Sequence, residues 1–289
     1  MFTLSKIVAP VDFSARSPAA VRFADALAYH FHSELSLLYV IEPDMAAWGS
    51  LEFGSLALAE IIESRQERAQ KDMAAFLPEL RPDVKRVILS GEPALRIVEY
   101  AHRENAGMIV MPTHGYGPFR RFILGSVTAK VLHDAQCPVL TGAHVAGEPR
   151  HPFEPSHVMC AIDLGPESRR VLEWAGQLAA ALGSRLTVVY ISPALEPFLG
   201  DAYDPRWQAD LTRRANEQIE TLQRDLGIKA ETLVEGGNDV PGAVCFAAAR
   251  VEASLLVIGR KKMAGEFLGR LRTQSYALIR QSPCPVISV

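Results

Sequence analysis

The residues best suited to chemistry lie at positions 111–140, MPTHGYGPFRRFILGSVTAKVLHDAQCPVL. An apolar run at residues 107–111, GMIVM, leads into a bend through Gly115 and Gly117, and the chain then reaches Gly125 and Ser126 and enters a stretch with helical spacing. A strand, a glycine-bearing loop and a helix N-terminus together make an anion cradle, because backbone N–H groups and the positive helix end face the ligand. Gly115, Gly125, Ser126 and the N–H groups of Val127 and Thr128 therefore suit phosphates. Ser126 can cap the helix and donate to phosphate at once. Two more strand ends offer partners. Asp12 ends an apolar run, and a carboxylate there can accept from a ribose hydroxyl or an adenine amino group. Val40 ends another, and its backbone can pair with a base edge.

Each residue also has a plainer role. Asp12 can cap the turn that follows it, Gly115 and Gly117 can be ordinary turn glycines, and Ser126 can be a simple N-cap. His114, Arg120 and Arg121 can reach phosphate or face solvent, and adjacent loop arginines are usually solvated. The joint arrangement favours a ligand more than any one residue does. The loop is not a P-loop, since GxxxxGK[ST] is absent, nor a dinucleotide fingerprint, since GxGxxG is absent. There is no Ser-His-Asp set, no HExxH and no paired acidic cluster at metal spacing, so nothing names a general base.

The elements that must position these groups follow from periodicity. Apolar runs at residues 6–13, 36–41, 84–89, 108–111 and 138–140 read as strands buried on both faces. Between them lie helical stripes: Ala20, Phe23, Ala24, Leu27, Ala28 and Phe31; then Ala69, Met73, Phe76, Leu77 and Leu80; then residues 92–105 and 126–135. Strands alternating with helices imply βαβ units and a parallel sheet with helices on both faces.

The pattern then starts again. HVMCAIDL at residues 157–164 repeats KIVAPVDF at residues 6–13, with Asp163 matching Asp12 at an offset of 151. Val171, Trp174, Ala175, Leu178, Ala179 and Leu182 repeat the first helix face. A long helix is expected with Trp207, Leu211, Leu222 and Leu226 on one side. LLVIGR at residues 255–260 repeats MIVMPT, and Cys284-Pro285-Val286 repeats Cys137-Pro138-Val139 at an offset of 147. This is an internal duplication. It implies domains at residues 1–142 and 156–289, joined by a proline- and glycine-bearing linker at 143–155. Each half ends on a short apolar strand, and the expected use of such edges is intramolecular pairing of the halves about a pseudo-twofold axis; completion of each half's own sheet is the alternative.

Composition narrows the function classes. At 289 residues with 48% hydrophobic and 22% charged residues, the chain reads as globular. A net charge of −3 gives no support for electrostatic nucleic-acid binding. No apolar run reaches the roughly 18 residues a membrane span needs, and the opening residues do not read as a signal peptide. The isolated cysteines, Cys137, Cys160, Cys245 and Cys284, read as free thiols in a reducing compartment, so a cytoplasmic protein is expected.

With these residues in view, the chain resembles the universal stress protein family in its tandem two-domain form. The resemblance covers nearly the whole chain and rests on the family pattern G-x2-G-x9-G-[ST], matched by Pro112, Gly115, Gly125 and Ser126. It implies two tandem doubly wound parallel five-stranded α/β sheets of the Rossmann-like HUP type. It also implies an adenine and ribose site at Pro10, Val11, Asp12, Val40 and Met111, and a phosphate site at Gly115, Gly125, Ser126, Val127 and Thr128, with Pro112 counted among the cofactor-binding positions. The implied ligand is ATP, with or without magnesium, in a stress-response regulator that can form a homodimer. Pro112 replaces the first glycine and removes one backbone N–H. In the second half the matched positions are Gly259, Lys262, Arg272 and Thr273, so that half is expected not to bind ATP in the family's way. Its basic cluster, Arg260, Lys261, Lys262, Arg270 and Arg272, reads as a solvated loop or as a site for another anion. Two other functions stand beside the regulator: a slow ATP hydrolase on the same fold, and a nucleotide-free interaction protein in which both sites have decayed.

Overall fold

The computed structural model describes residues 2–43, 55–113, 124–142, 153–196, 203–260 and 268–289, with residues 55–59 and 268–273 described by backbone alone. The chain divides into two compact units, one built on Thr3–Val139 and the other on Arg150–Val289. The first half runs β1 (Lys6–Val11), α1 (Ser17–Phe31), β2 (Glu34–Ile41), α2 (Ser55–Ala75), β3 (Lys85–Ser90), α3 (Pro93–Arg103), β4 (Met108–Val110), α4 (Ser126–Asp134) and β5 (Val139–Thr141). The second runs β6 (His157–Ala161), α5 (Ser168–Leu182), β7 (Arg185–Ser192), α6 (Pro205–Leu226), β8 (Glu231–Gly236), α7 (Val240–Arg250), β9 (Leu255–Ile258), α8 (Leu268–Gln281) and β10 (Val286–Ser288).

The strands of the first half lie in the order β3-β2-β1-β4-β5 and those of the second in the order β8-β7-β6-β9-β10. The pairings within β3-β2-β1-β4 and within β8-β7-β6-β9-β10 are parallel. In both halves the direction of winding reverses at the first strand, between β1 and β4 and between β6 and β9. The apolar strands are buried on both faces: Ile7, Val8, Leu37, Met108 and Ile109 are 0% exposed, as are Val158, Met159, Val188 and Leu256. Each such side chain withdrawn from water contributes about 1.5–3 kcal/mol, so the strands and their order carry the fold. β3 and β8 are half-buried, as edge strands are.

The helix ends repeat as closely as the strands. α1 stops at His32 (φ 54°), where Ser33 N–H donates to Ala28 O at 2.8 Å, and α5 stops at Gly183 (φ 63°), where Ser184 N–H donates to Ala179 O at 2.9 Å. A left-handed residue closing the helix satisfies carbonyls the helix leaves open.

Several expectations change. α2 ends at Ala75, so Phe76, Leu77 and Leu80 are not part of its stripe, although Ala69 and Met73 are buried as expected. The helix end is held instead by Arg86 of β3, whose Nη1 donates to Met73 O and Phe76 O at 2.6 Å each and whose Nη2 donates to Leu77 O at 2.9 Å. Trp207 does not face the core; it is 47% exposed, and α6 buries Ala215 and Ile219. Trp207 sits in the first turn of the helix. Ser126 is not the N-cap of α4: Gly125 occupies that position with φ −59° and ψ 144°, and no side chain caps this end.

Candidate functional site: the crevice between β1 and β4

In an open α/β sheet, ligands bind beyond the carboxyl ends of the strands where the winding reverses. In the first half that point lies between β1 and β4, and Pro10 opens it. The β1–β4 ladder pairs Ile7 with Met108 and Val8 with Ile109. Pro10 has no N–H to donate to β4, while on its other side β1 stays paired to β2 as far as Val11↔Tyr39. A proline in a central strand is tolerated only where the ladder can stop. The duplicated half supplies the control. There Ala161 stands where Pro10 stands, and β6 pairs β9 from Val158↔Leu255 through to Ala161↔Ile258. The second switch point is zipped and the first is not.

The turn after β1 is tightly built. Asp12 Oδ1 accepts from Ser14 N–H at 2.9 Å and from Ser17 Oγ at 2.6 Å, and Ser17 Oγ also accepts from Asp12 N–H at 3.2 Å. The turn-capping role open to Asp12 is therefore used, and these bonds engage one carboxylate oxygen. Phe13 is held at φ 57°, a left-handed conformation that costs a non-glycine residue about 1 kcal/mol. The ring of Phe13 packs on Tyr39 at 4.6 Å and on Phe76 at 5.5 Å between centroids, which anchors the turn on β2 and on the end of α2. The second half repeats the turn: Leu164 has φ 56°, and Asp163 Oδ1 accepts from Gly165 N–H at 2.8 Å and from Ser168 Oγ at 3.1 Å.

The other expected residues fall around the same edge. Val40 stands one residue past the end of the β1–β2 ladder. Val11, Val40 and Met111 have buried side chains, so only their backbones can serve a ligand. Pro112 is buried, and its carbonyl accepts from the buried hydroxyl of Thr128 at 3.1 Å. Gly125 N–H donates to Thr113 O at 2.9 Å, and the first bond of α4 runs from Ala129 N–H to Gly125 O at 2.8 Å. The N–H groups of Ser126, Val127 and Thr128 thus precede the first helical bond and, with no capping side chain, form the donor set that an anion needs. Lys130 one turn on is tied to Glu92 at 2.9 Å. Glu92 also caps α3 by accepting from Leu95 N–H at 2.6 Å; that backbone bond, and then Lys130, hold its carboxyl below the usual range. Gly115, His114, Gly117, Arg120 and Arg121 lie outside the described residues.

The second half lacks this donor set at the matched place. α4 and α8 end in register, since Asp134 plus 147 is Gln281, but α4 has 9 residues and α8 has 14. α8 therefore begins 14 − 9 = 5 residues earlier, and Arg272 and Thr273 lie inside the helix, where N–H groups are spent on carbonyls four residues back. Val171 of α5 packs close to Gly259: a Cβ there would lie 3.0 Å from Val171 Cγ2. Lys261 and Lys262 lie outside the described residues, and Arg270, Arg272 and Thr273 are described by backbone alone.

Sequence reasoning placed Asp12, Val40, Met111 and the start of α4 at one sheet edge, and the structure brings them together there. It missed what Pro10 does to the ladder, and it missed Ser14 and Arg16 in the turn after Asp12. A proline inside an otherwise unbroken apolar strand, set beside alanine in the repeat, was the available signal for the first.

Fold and site together define a class: a doubly wound parallel α/β domain present twice in one chain, with an uncapped helix start beyond β4 in the first copy. The chain belongs to the Universal stress protein family, which it matches over residues 3–141 and again over residues 155–289. It is 26% identical to a universal stress protein of Mycolicibacterium smegmatis over 98% of this chain and 96% of that one. A universal stress protein of Methanocaldococcus jannaschii is 34% identical over 47% of this chain and 79% of its own length. Among solved structures, a universal stress protein from Archaeoglobus fulgidus has the same fold, with a TM-score of 0.66, 23% identity and coverage of 99% of this chain and 96% of that one.

Proposed function

We propose that the first half binds an adenine nucleotide, ATP with or without magnesium, and that the protein is a stress-response regulator whose ligand alters its assembly or partners. The observation that carries this is the open switch point: the β1–β4 ladder stops at Val8↔Ile109, short of Pro10, and α4 starts without a side-chain cap. In this reading Pro10, Val11, Asp12, Val40 and Met111 flank the adenosine. Gly125, Ser126, Val127 and Thr128 take the phosphates, Gly115 joins them, and Pro112 shapes the loop through its carbonyl. The second half is proposed to bind no nucleotide in this manner, on the support of the longer β6–β9 ladder and the earlier start of α8. Among the described residues no group of three His, Cys, Asp or Glu side chains is placed to hold a metal ion.

Isothermal titration of the full chain tests the reading. ATP is expected to bind at one site per chain, and Gly125→Asp is expected to abolish binding through bulk and repulsion at the helix start. No heat at millimolar ATP would sink the proposal and leave the nucleotide-free reading, which the missing N–H of Pro112 favours.

A further inference from the structure

Four side-chain atoms among the described residues are buried without a hydrogen-bond partner: Ser14 Oγ, Arg16 Nη1, Arg81 Nη2 and Ser288 Oγ. Two of the four fall within three residues of each other, in the turn after β1. Ser14 is 4% exposed. A buried donor left unpaired costs about 1–3 kcal/mol, and more when it is charged. Asp12, the neighbouring acid, directs Oδ1 at Ser14 N–H and Ser17 Oγ, and Arg16, half-buried as a residue, has Nη1 covered without a partner.

The second half shows that the turn does not require these groups. Gly165 and Glu167 stand where Ser14 and Arg16 stand, and the Asp163 turn forms with the same left-handed residue and the same acceptor pattern. Glu167 there is paired to Arg170 at 2.8 Å. The hydroxyl of Ser14 and the charge of Arg16 are therefore additions to a turn that folds without them. They occur in the half whose switch point is open. Their chemistry selects the ligand. Arg offers donors and no acceptor, and a serine hydroxyl donates one proton. The end of α1 that follows carries no acidic residue in its first turn and no side-chain cap, which adds positive potential.

We propose that Ser14 and Arg16 form an oxyanion subsite on the β1 side of the crevice, which takes a phosphate group. The subsite rests on the nucleotide reading for the carrier of that phosphate but not for the phosphate itself. Arg16 clamps the phosphate oxygens through its fork of N–H groups, and Ser14 donates the remaining bond. Free pyrophosphate would occupy it alone.

Titrations of the full chain with ATP, adenosine and pyrophosphate, on wild type, Arg16→Gln and Ser14→Ala, test it. Wild type is expected to bind ATP and pyrophosphate. Arg16→Gln is expected to weaken both at least tenfold and to leave adenosine unchanged, and Ser14→Ala to weaken both severalfold. The ligand-free Arg16→Gln protein is expected to melt at or above the wild-type temperature, because a covered guanidinium nitrogen without a partner has gone; a purely structural arginine would lower it. ATP and pyrophosphate bound equally by wild type and Arg16→Gln would overturn the subsite while leaving the nucleotide reading standing. Pyrophosphate bound by wild type and lost in Arg16→Gln, with neither ATP nor adenosine bound, would uphold the subsite and end the nucleotide reading. A folded wild type that binds neither ATP nor pyrophosphate would overturn both.

Discussion

Thr128 Oγ1 donates to the carbonyl of Pro112 at 3.1 Å, so the first turn of α4 is tied to the chain two residues beyond β4. The bond crosses the loop between them and holds its two ends together. Thr128→Val keeps the shape and removes the donor, leaving a buried carbonyl short of a partner. A loss of about 1–3 kcal/mol is expected in urea denaturation, with weaker ATP binding in titration. Thr128→Ser should retain both. Unchanged affinity in Thr128→Val would show that the loop's ends are set by something else.

Pro10→Ala restores a donor at the point where the β1–β4 ladder stops. The ladder is expected to extend as it does at Ala161 in the second half, narrowing the crevice. Nucleotide affinity should fall severalfold while the melting temperature holds or rises. Hydrogen exchange at the restored amide reads the ladder directly, and a fast-exchanging amide there would contradict this account.

A charge cluster lies at the opposite ends of the strands. Lys6 Nζ is 2.8 Å from Glu104 Oε2 and 3.8 Å from Glu34 Oε2, and Lys85 Nζ is 2.7 Å from Glu34 Oε2. The hydrogen bond from Lys6 holds the Glu104 carboxyl below 4.5, and that from Lys85 does the same for Glu34. A carboxyl depressed on folding releases protons that the unfolded chain would keep, so its contribution is present above 4.5 and is lost as pH falls through the lower folded value. Lys6→Met should therefore destabilise the protein at neutral pH. The gap between wild-type and variant urea midpoints should close as the pH is taken well below 4.5. A gap constant from pH 7 to pH 3 would exclude the ion pair as its cause.

Arg86 closes the end of α2 by donating to three carbonyls, a geometry that the single ammonium of lysine does not reproduce. Arg86→Met and Arg86→Lys should each cost about 2–3 kcal/mol, the worth of charge-assisted bonds in a partly buried place. Hydrogen exchange should quicken in the last turns of α2 before it does elsewhere. Equal stability of the lysine variant would sink this.

The fold was legible where burial is two-sided. The runs that became β1, β2, β4, β6, β7 and β9 are apolar because both faces are covered, and their repetition at fixed offsets exposed the duplication without structural help. β8 was not legible. As a half-buried edge strand its sequence is ETLVEG, and polar residues facing solvent hide the strand pattern. Helix ends were legible only in part. Trp207 follows a helical spacing yet is 47% exposed, and neither the displacement of the N-cap from Ser126 to Gly125 nor the early start of α8 leaves a periodic mark. Of the proposed site, Asp12 and the start of α4 were singled out from residue types. The orphaned Ser14 and Arg16 could not, because an unpaired atom is defined by its surroundings and not by its neighbours in sequence.

The five additional residues of α8 amount to about 1.4 turns at 3.6 residues per turn. A cradle made of a helix terminus exists only where the helix stops, so moving the stop erases it without altering a buried strand. Duplication can then free one copy from its ligand while the architecture is inherited whole. On the proposed reading the second copy is not an eroded domain: its strands are as buried as those of the first, and what differs is a helix start lying five residues earlier.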